Sequence, residues 1–351
     1  MLAPVSTVGL MNERSPRPRL ERGDVGEGVV ELHSQLTLAG YLVETVHLDR
    51  FGGRTHDAVV AFQRQRGLEG TGIVGGETWK SLDEAAHYFG GRLLCRRTPM
   101  MRGDDVAELQ LLLGSLGFDS GWIDGIFGPQ TEAGVADFQR NAGIPVDGVA
   151  GPTTVAVLTR LRLSANAARP VASVREQERL RNGPKGIVGR RVVIGDFGYS
   201  PVVAGELGKM LRRAGARVLL LHHSDGSTHA RAANQFDAEL YMGLMAVTND
   251  ACMASFYETD SYSSYGGKDL ANFAIDELSL ALRTPGTVEG TRSPVLRETR
   301  MPAVVFRLGP RDGLAEDRRE IATAIHDALM RWITVPATAA PATDIGLAKQ
   351  R

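Results

Sequence analysis

The stretch GDDVAELQLLLGSLGFDSGWIDGIFGPQTEAGVADFQRNAGIPVDGVAGPTT, residues 103–154, decides how the first half of the chain folds. Val106, Leu109, Leu112, Leu113 and Leu116 recur at three- and four-residue spacing, which puts one apolar stripe on one helix. Gly117 ends that helix, because a residue without a Cβ takes positive φ at no steric cost. Asp124-Gly125 is a turn, and Phe127-Gly128-Pro129 drives a ring inward before a second helix, with Thr131 read as its cap and Val135 and Phe138 on its inner face. Gly143 stops that helix, Asp147-Gly148 turns the chain, and Gly151-Pro152-Thr153-Thr154 opens a third. The expectation is a three-helix bundle of roughly 60 residues, near the lower limit for an unaided core.

The same pattern occurs earlier. Phe127 stands 76 positions after Phe51, Phe138 stands 76 after Phe62, and Thr154 stands 76 after Thr78. Gly23-Asp24, Val29, Leu32, Leu36 and Gly40-Tyr41 match the first helix, with small slips where loops tolerate insertion. The first copy has drifted, with Asp49-Arg50 in place of Asp124-Gly125 and Gly76-Glu77 in place of Pro152-Thr153. Both copies resemble the peptidoglycan-binding module found beside many cell-wall hydrolases. The resemblance implies a hold on muropeptide or glycan, but the shared residues are core and turn positions and name no binding residue.

Beyond the repeats, residues 161–189 are rich in Ala and Arg, with Glu176 and Glu178 against a larger basic set, and Asn182-Gly183-Pro184 interrupts any helix. This reads as a solvated basic linker. Strands are then expected at 192–194, 218–221, 240–246 and 303–306, and helices at 202–214, 228–236, 270–283 and 316–333. Strands alternating with helices give a three-layer α/β domain. The expected organisation is an arm (1–21), repeats at 22–88 and 96–160, the linker (161–189), the α/β domain (190–335) and a tail (336–351).

The α/β segment resembles the zinc-dependent N-acetylmuramoyl-L-alanine amidases of the type-3 family. The resemblance rests on Asp196-Phe197-Gly198-Tyr199, the step from Leu211 through Gly215 to Val218, Arg231 to Asn234, Glu239 to Ala246, and Met301-Pro302-Ala303-Val304. It implies a Zn²⁺ held by two His and one Glu, with a second Glu as general base acting on metal-bound water. Here the two His positions hold Tyr199 and Met245, and the general-base position holds Arg307. The loop for the Glu ligand is nearly absent, and Glu206 falls inside the following helix. Tyr, with a pKa near ~10, is a poor zinc ligand at neutral pH. Thioether sulfur suits soft metals, and Arg cannot give up its proton. The sequence therefore assigns no catalytic residue and no metal ligand, and zinc is expected only under an amidase reading. A loop with His222, His223, Asp225 and His229 is a rival metal site, read as a solvated loop.

Hydrophobic residues make up 43% of the chain and charged residues 23%, as in an ordinary globular protein. The net charge of −1 argues against a nucleic-acid binder. Cys95 and Cys252 are far apart in sequence and read as reduced thiols. Residues 1–20 lack the order of a secretory signal, and no stretch reaches a membrane span, so a cytoplasmic location is expected.

The domain order resembles an actinobacterial group of amidase-like proteins that regulate peptidoglycan synthesis. That resemblance implies, as partners, peptidoglycan or its soluble precursors, the UDP-N-acetylglucosamine enolpyruvyl transferase, a Ser/Thr kinase, a forkhead-associated protein and the lipid II flippase. Thr338 and Thr343, in a Pro/Ala/Thr-rich tail, are the phosphorylation candidates. Three readings stand at this point: a non-catalytic regulator, an active zinc amidase, and a passive peptidoglycan-binding protein.

Overall fold

A computed structural model describes residues 17–41, 47–162, 176, 186–198, 200–259 and 262–334. The chain divides into two compact units, one of residues 1–63 and 70–86 and the other of residues 64–69 and 87–351. Thr338 and Thr343 lie outside the described residues, as does Tyr199.

The first unit holds the first repeat, with helices α1 (Glu27–Leu38), α2 (Gly53–Gln65) and α3 (Gly76–Ala85). Val29, Leu32, Leu36, Phe51, Val59, Phe62, Trp79 and Leu82 form its core. Leu20 belongs to the same core and pairs with Val74 through an isolated bridge.

The second repeat lies in the second unit, with α4 (Asp104–Ser115), α5 (Pro129–Ala142) and α6 (Pro152–Arg162). Val106, Leu109, Leu113, Phe127, Val135 and Phe138 fill its core, joined by Leu94 from the preceding segment. The stops fall where the glycines are: Gly117 has φ +89° and Gly143 caps α5 at φ 67°. Thr131 is not the cap of α5. That place belongs to Gly128, with Pro129 in the first turn, where a missing N–H costs nothing. Thr131 is buried instead, and its hydroxyl meets the Gln110 amide at 3.1 Å.

That contact belongs to a device used at three places. The Gln139 amide donates to Asp147 Oδ1 (2.7 Å) and Thr154 Oγ1 (3.0 Å), and its carbonyl accepts from Gly148 N–H (2.9 Å). Gln110 donates to Asp124 Oδ1 (2.8 Å) and accepts from Gly125 N–H (2.9 Å). In the first repeat, Gln63 donates to Thr78 Oγ1 (3.1 Å) and accepts from Gly72 N–H (2.9 Å). Each glutamine thus ties a helix to a turn whose glycine has φ of +68 to +70°. A buried amide that satisfies both sides of such a turn removes the desolvation cost of its polar groups.

The fourth place differs. His33 stands where Gln110 does, and its Nε2 lies 2.8 Å from Thr55 Oγ1. An imidazole has no carbonyl to catch a turn amide. Asp49-Arg50 replaces Asp-Gly there, Arg50 is not among the positive-φ residues, and its N–H goes to His47 O (3.2 Å). A turn without a positive-φ glycine at residue 50 is therefore matched to a side chain at residue 33 that could not have held its amide.

The α/β domain carries strands β1 (Arg191–Asp196), β2 (Arg217–His222), β3 (Leu240–Ala246), β4 (Ala251–Thr259), β5 (Tyr262–Ser263), β6 (Thr287–Thr291) and β7 (Ala303–Gly309). Its helices are α7 (Pro201–Arg213), α8 (Gly226–Gln235), α9 (Tyr265–Leu282), α10 (Pro294–Glu298) and α11 (Arg318–Thr334). The sheet order is β2-β1-β3-β7-β4-β5, with β6 also on β4. β1, β2, β3 and β7 are parallel, and β4 is antiparallel to β7. Alternate side chains split into two faces. Val192, Ile194, Met242, Leu244, Val304 and Phe306 pack with residues of α7, α9 and α11. Val193, Tyr241, Ala303 and Val305 pack with Ala230 and Ala233 of α8, Val295 and Leu296 of α10, and Ile123 of the second repeat. The sheet therefore lies between two covered faces, as a three-layer domain requires.

β4, β5, β6 and α10 lie beyond the strands and helices expected from the sequence. β4 is buried on both faces, through Cys252, Ala254 and Phe256 on one and Ser255 and Tyr257 on the other, so its sequence shows no clean alternation. Both cysteines are free, with Cys252 buried and Cys95 half-buried. Glu176 departs from the solvated-linker reading. It is 4% exposed and accepts from Ser264 Oγ (2.6 Å) and Tyr265 N–H (3.2 Å) at the start of α9. Burial pushes its carboxyl up to about 6, with these hydrogen bonds acting the other way.

Candidate functional site

In a parallel α/β sheet, ligands meet the C-terminal ends of the strands beside the point where strand order reverses. Here β1 has β2 on one side and β3 on the other, so that point lies between β1 and β3. The residues singled out from the sequence gather at this end: Asp196 closes β1, Met245 lies near the end of β3, and Arg307 lies near the end of β7.

Met245 and Arg307 are register partners across β3 and β7. Met245 is half-buried and packs with the apolar cluster on that face. The Arg307 side chain is 11% exposed, and its Nη1 makes an ion pair of 2.9 Å with Glu289 Oε1 on β6. Burial lowers the guanidinium pKa, and the charge of Glu289 works against that shift. Arg307 also runs alongside Met253 of β4, with Nη1 3.7 Å from the sulfur. A thioether and a paired guanidinium on adjacent strands do not fit a hydrolytic Zn²⁺: one is a soft donor, and the other is a cation that would repel the metal. Glu206 sits within α7, where Lys209 Nζ meets it at 3.3 Å.

Asp196 is 2% exposed and holds the turn after β1, where its Oδ1 accepts from Gly198 N–H and Ser200 N–H, both at 3.1 Å. Its other oxygen lies 2.7 Å from His222 Nδ1, which leaves the rest of that ring in solvent, the side chain being 68% exposed. A carboxylate in this position fixes the orientation of an imidazole.

The rival metal loop comes apart in three dimensions. His222 is bound to Asp196, and His223 Nδ1 accepts from Asp225 N–H (2.9 Å). Asp225 is the N-cap of α8, with its carboxylate accepting from Ser227 N–H and Thr228 N–H. His229 is on α8 and fully buried, 2.7 Å from Tyr241 Oη, with its ring tilted against Phe197 at 4.5 Å between centroids. Burial first, and then the nearby His223, hold His229 down to about 4, so it is neutral at pH 7. Among the described residues, no group of three or more His, Cys, Asp or Glu is placed to hold a metal ion.

The His229–Tyr241 pair explains two glycines in the strands. A Cβ at Gly195 would come within 2.2 Å of Tyr241 Oη and 2.3 Å of His229 Nδ1, and one at Gly243 would meet Phe197 at 3.0 Å. These rings fill the space under the ends of β1 and β3. The sequence carried a signal for this in Gly195 and Gly243, because a glycine inside a strand often marks a close approach.

Comparison with known proteins bears on the same regions. Residues 25–82 and 102–158 match the family described as "Putative peptidoglycan binding domain". The chain is 32% identical over 344 residues to "N-acetylmuramoyl-L-alanine amidase CwlM" of Mycobacterium tuberculosis, covering 84% of each chain. It is 29% identical over 163 residues to "N-acetylmuramoyl-L-alanine amidase CwlL" of Bacillus licheniformis, covering 40% of this chain and 45% of that one. A solved structure, the catalytic domain of the amidase CwlV from Bacillus (Paenibacillus) polymyxa, overlaps 41% of this chain and 99% of its own at 15% identity, with a TM-score of 0.34. Among the described residues, no helix is long and apolar enough to cross a membrane. The chain belongs to the N-acetylmuramoyl-L-alanine amidase family, in a form with two peptidoglycan-binding modules ahead of the amidase-like domain.

Proposed function

We propose that this protein is a non-catalytic amidase homologue that regulates peptidoglycan precursor synthesis by binding partner enzymes or wall precursors. The observation that carries this reading is the pairing of Met245 with Arg307 on adjacent strands, with the guanidinium committed to Glu289. A general base must be within reach of its proton and able to accept it, and Arg307 meets the second condition at no ordinary pH. With Tyr199 at the other His position, none of the three positions that the family resemblance assigns to zinc or to the base carries a residue suited to that role. The binding modules keep their cores, so recognition survives the loss of chemistry in this reading. The partners are soluble wall precursors and the enzymes that make and move them, namely the enolpyruvyl transferase of the first committed step and the lipid II flippase. Thr338 and Thr343 are the sites where a Ser/Thr kinase would create a forkhead-associated docking signal.

The test is depletion of the protein with measurement of UDP-N-acetylmuramic acid pathway precursors. The expected outcome is a changed precursor pool, and an unchanged pool would sink the regulatory reading. The second reading, an active zinc amidase, is favoured by the similarity to N-acetylmuramoyl-L-alanine amidases of Mycobacterium tuberculosis and Bacillus licheniformis. Stoichiometric zinc in the purified protein, together with release of muropeptides from peptidoglycan, would establish it.

A further inference from the structure

A binding module joined to its neighbour by a linker alone would share no buried surface with it. The contacts between module 2 (the second repeat) and the α/β domain here are of another kind. Ile123, 6% exposed, lies in the same apolar cluster as Val193, Tyr241, Tyr257 and Val305, and Ala107 and Leu111 of α4 pack against that cluster. Charges of alternating sign border this apolar contact. Arg102 of module 2 pairs with Glu298 of α10. Arg297 of α10 stands 3.6 Å from Asp104 of module 2 and 3.6 Å from Glu298. The side chains of Arg297 and Glu298 are only 2% and 6% exposed. Glu298 also accepts from Ser227 Oγ at 2.9 Å, which ties the network to α8. At the turn of module 2, Gly125 has φ +68°, and a Cβ there would meet Arg297 Nε at 3.4 Å and Gly103 O at 3.0 Å.

We infer that module 2 is a fixed part of the amidase-like domain, held by an apolar contact and set in register by a buried charge lock, and that it stays docked without the connecting chain. The apolar residues supply the attraction. The charges decide the register, because a shifted module would part Arg102 from Glu298 and Asp104 from Arg297, leaving the buried α10 pair with only each other as compensation. The face of module 2 carrying Ala107, Leu111 and Ile123 is then used within the chain. Whatever the protein recognises must meet module 2 on its other faces, and it meets module and domain as one body.

A protease site placed between residues 163 and 170 of the full-length chain tests this. After cleavage, the two halves should co-elute on gel filtration at micromolar concentration. Arg102→Glu and Ile123→Asp, made separately, should each weaken the association at least tenfold, with far-UV circular dichroism confirming that each half stays folded. Arg102 is a third exposed, so its reversal leaves the module's own core intact. Separation of the wild-type halves would overturn the inference, and retention unaffected by either variant would overturn the lock. Neither result bears on whether the domain cleaves or regulates.

Discussion

The two halves of this protein have kept different things. In the binding modules the fold-holding polar residues recur, and the copies differ at a matched pair of positions: His33 stands where the second copy has Gln110, and Arg50 where it has the Gly125 whose amide that glutamine holds. In the amidase-like domain the positions where the family resemblance expects zinc ligands and a base hold side chains engaged with other neighbours. Arg307 has a counter-charge in Glu289, and Phe197, His229 and Tyr241 pack beneath the ends of β1 and β3. The lesson is that a residue is replaceable at low cost when a neighbour can take over its polar groups. The space beneath these strand ends is packed by the same rules as any core.

Breaking the glutamine device should give the largest effect. Gln139→Met leaves the Gly148 amide, the Thr154 hydroxyl and the Val149 carbonyl without their buried partner, while the exposed Asp147 turns to water. At ~1–3 kcal/mol for each unsatisfied group, a loss of about 4 kcal/mol is expected in chemical denaturation. His33→Met, which removes the bonds to Thr55 and to the Leu48 backbone but strands no turn amide, should lose only about 1 kcal/mol. Equal losses would show that the two kinds of latch are equivalent.

A pH series tests the packing beneath β1 and β3. His229 is held down to about 4 by burial, while the unfolded imidazole titrates near 6.5. The unfolded chain therefore binds the extra proton first. This contribution is fully present above pH 6.5 and is lost as the pH falls towards 4, by about 3 kcal/mol. His223, Asp196 and Asp225 are the charged groups facing it. His229→Gln keeps an acceptor for the Tyr241 hydroxyl and should flatten this acid limb in thermal melts followed from pH 7 to 4. An unchanged limb would place the acid sensitivity elsewhere. The smallest effect is at Asp225, which is the cap of α8 and no part of a metal loop. Asp225→Ala should cost about 1 kcal/mol, and Asp225→Ser, which keeps an oxygen for the same amides, only a few tenths. A larger loss shared by both variants would mean that Asp225 does more than cap the helix.

Much of this was legible in the chain because it depends on neighbours in sequence. The helices of the modules follow from apolar spacing, and their ends from Gly117 and Gly143, since backbone hydrogen bonding and φ preference act within a few residues. β1, β2, β3 and β7 showed as apolar runs for the same reason. The replacements at residues 199, 245 and 307 were read by position alone, and so was the absence of a base at 307.

What needed the tertiary structure was every feature whose partner is distant in sequence. β4 could not be told from its residues because both of its faces are covered. Glu176 looked solvated until Ser264 and Tyr265 were found around it, and three histidines that look like one loop were separated by Asp196 and Tyr241. The docking of module 2 through Arg102, Asp104, Arg297 and Glu298 brings together residues almost two hundred positions apart. Sequence periodicity reports how a segment meets its own core. Which charge is buried, and against what, depends on the path of the whole chain, because the cost of removing a charge from water is offset only by whatever the fold places within a few ångströms.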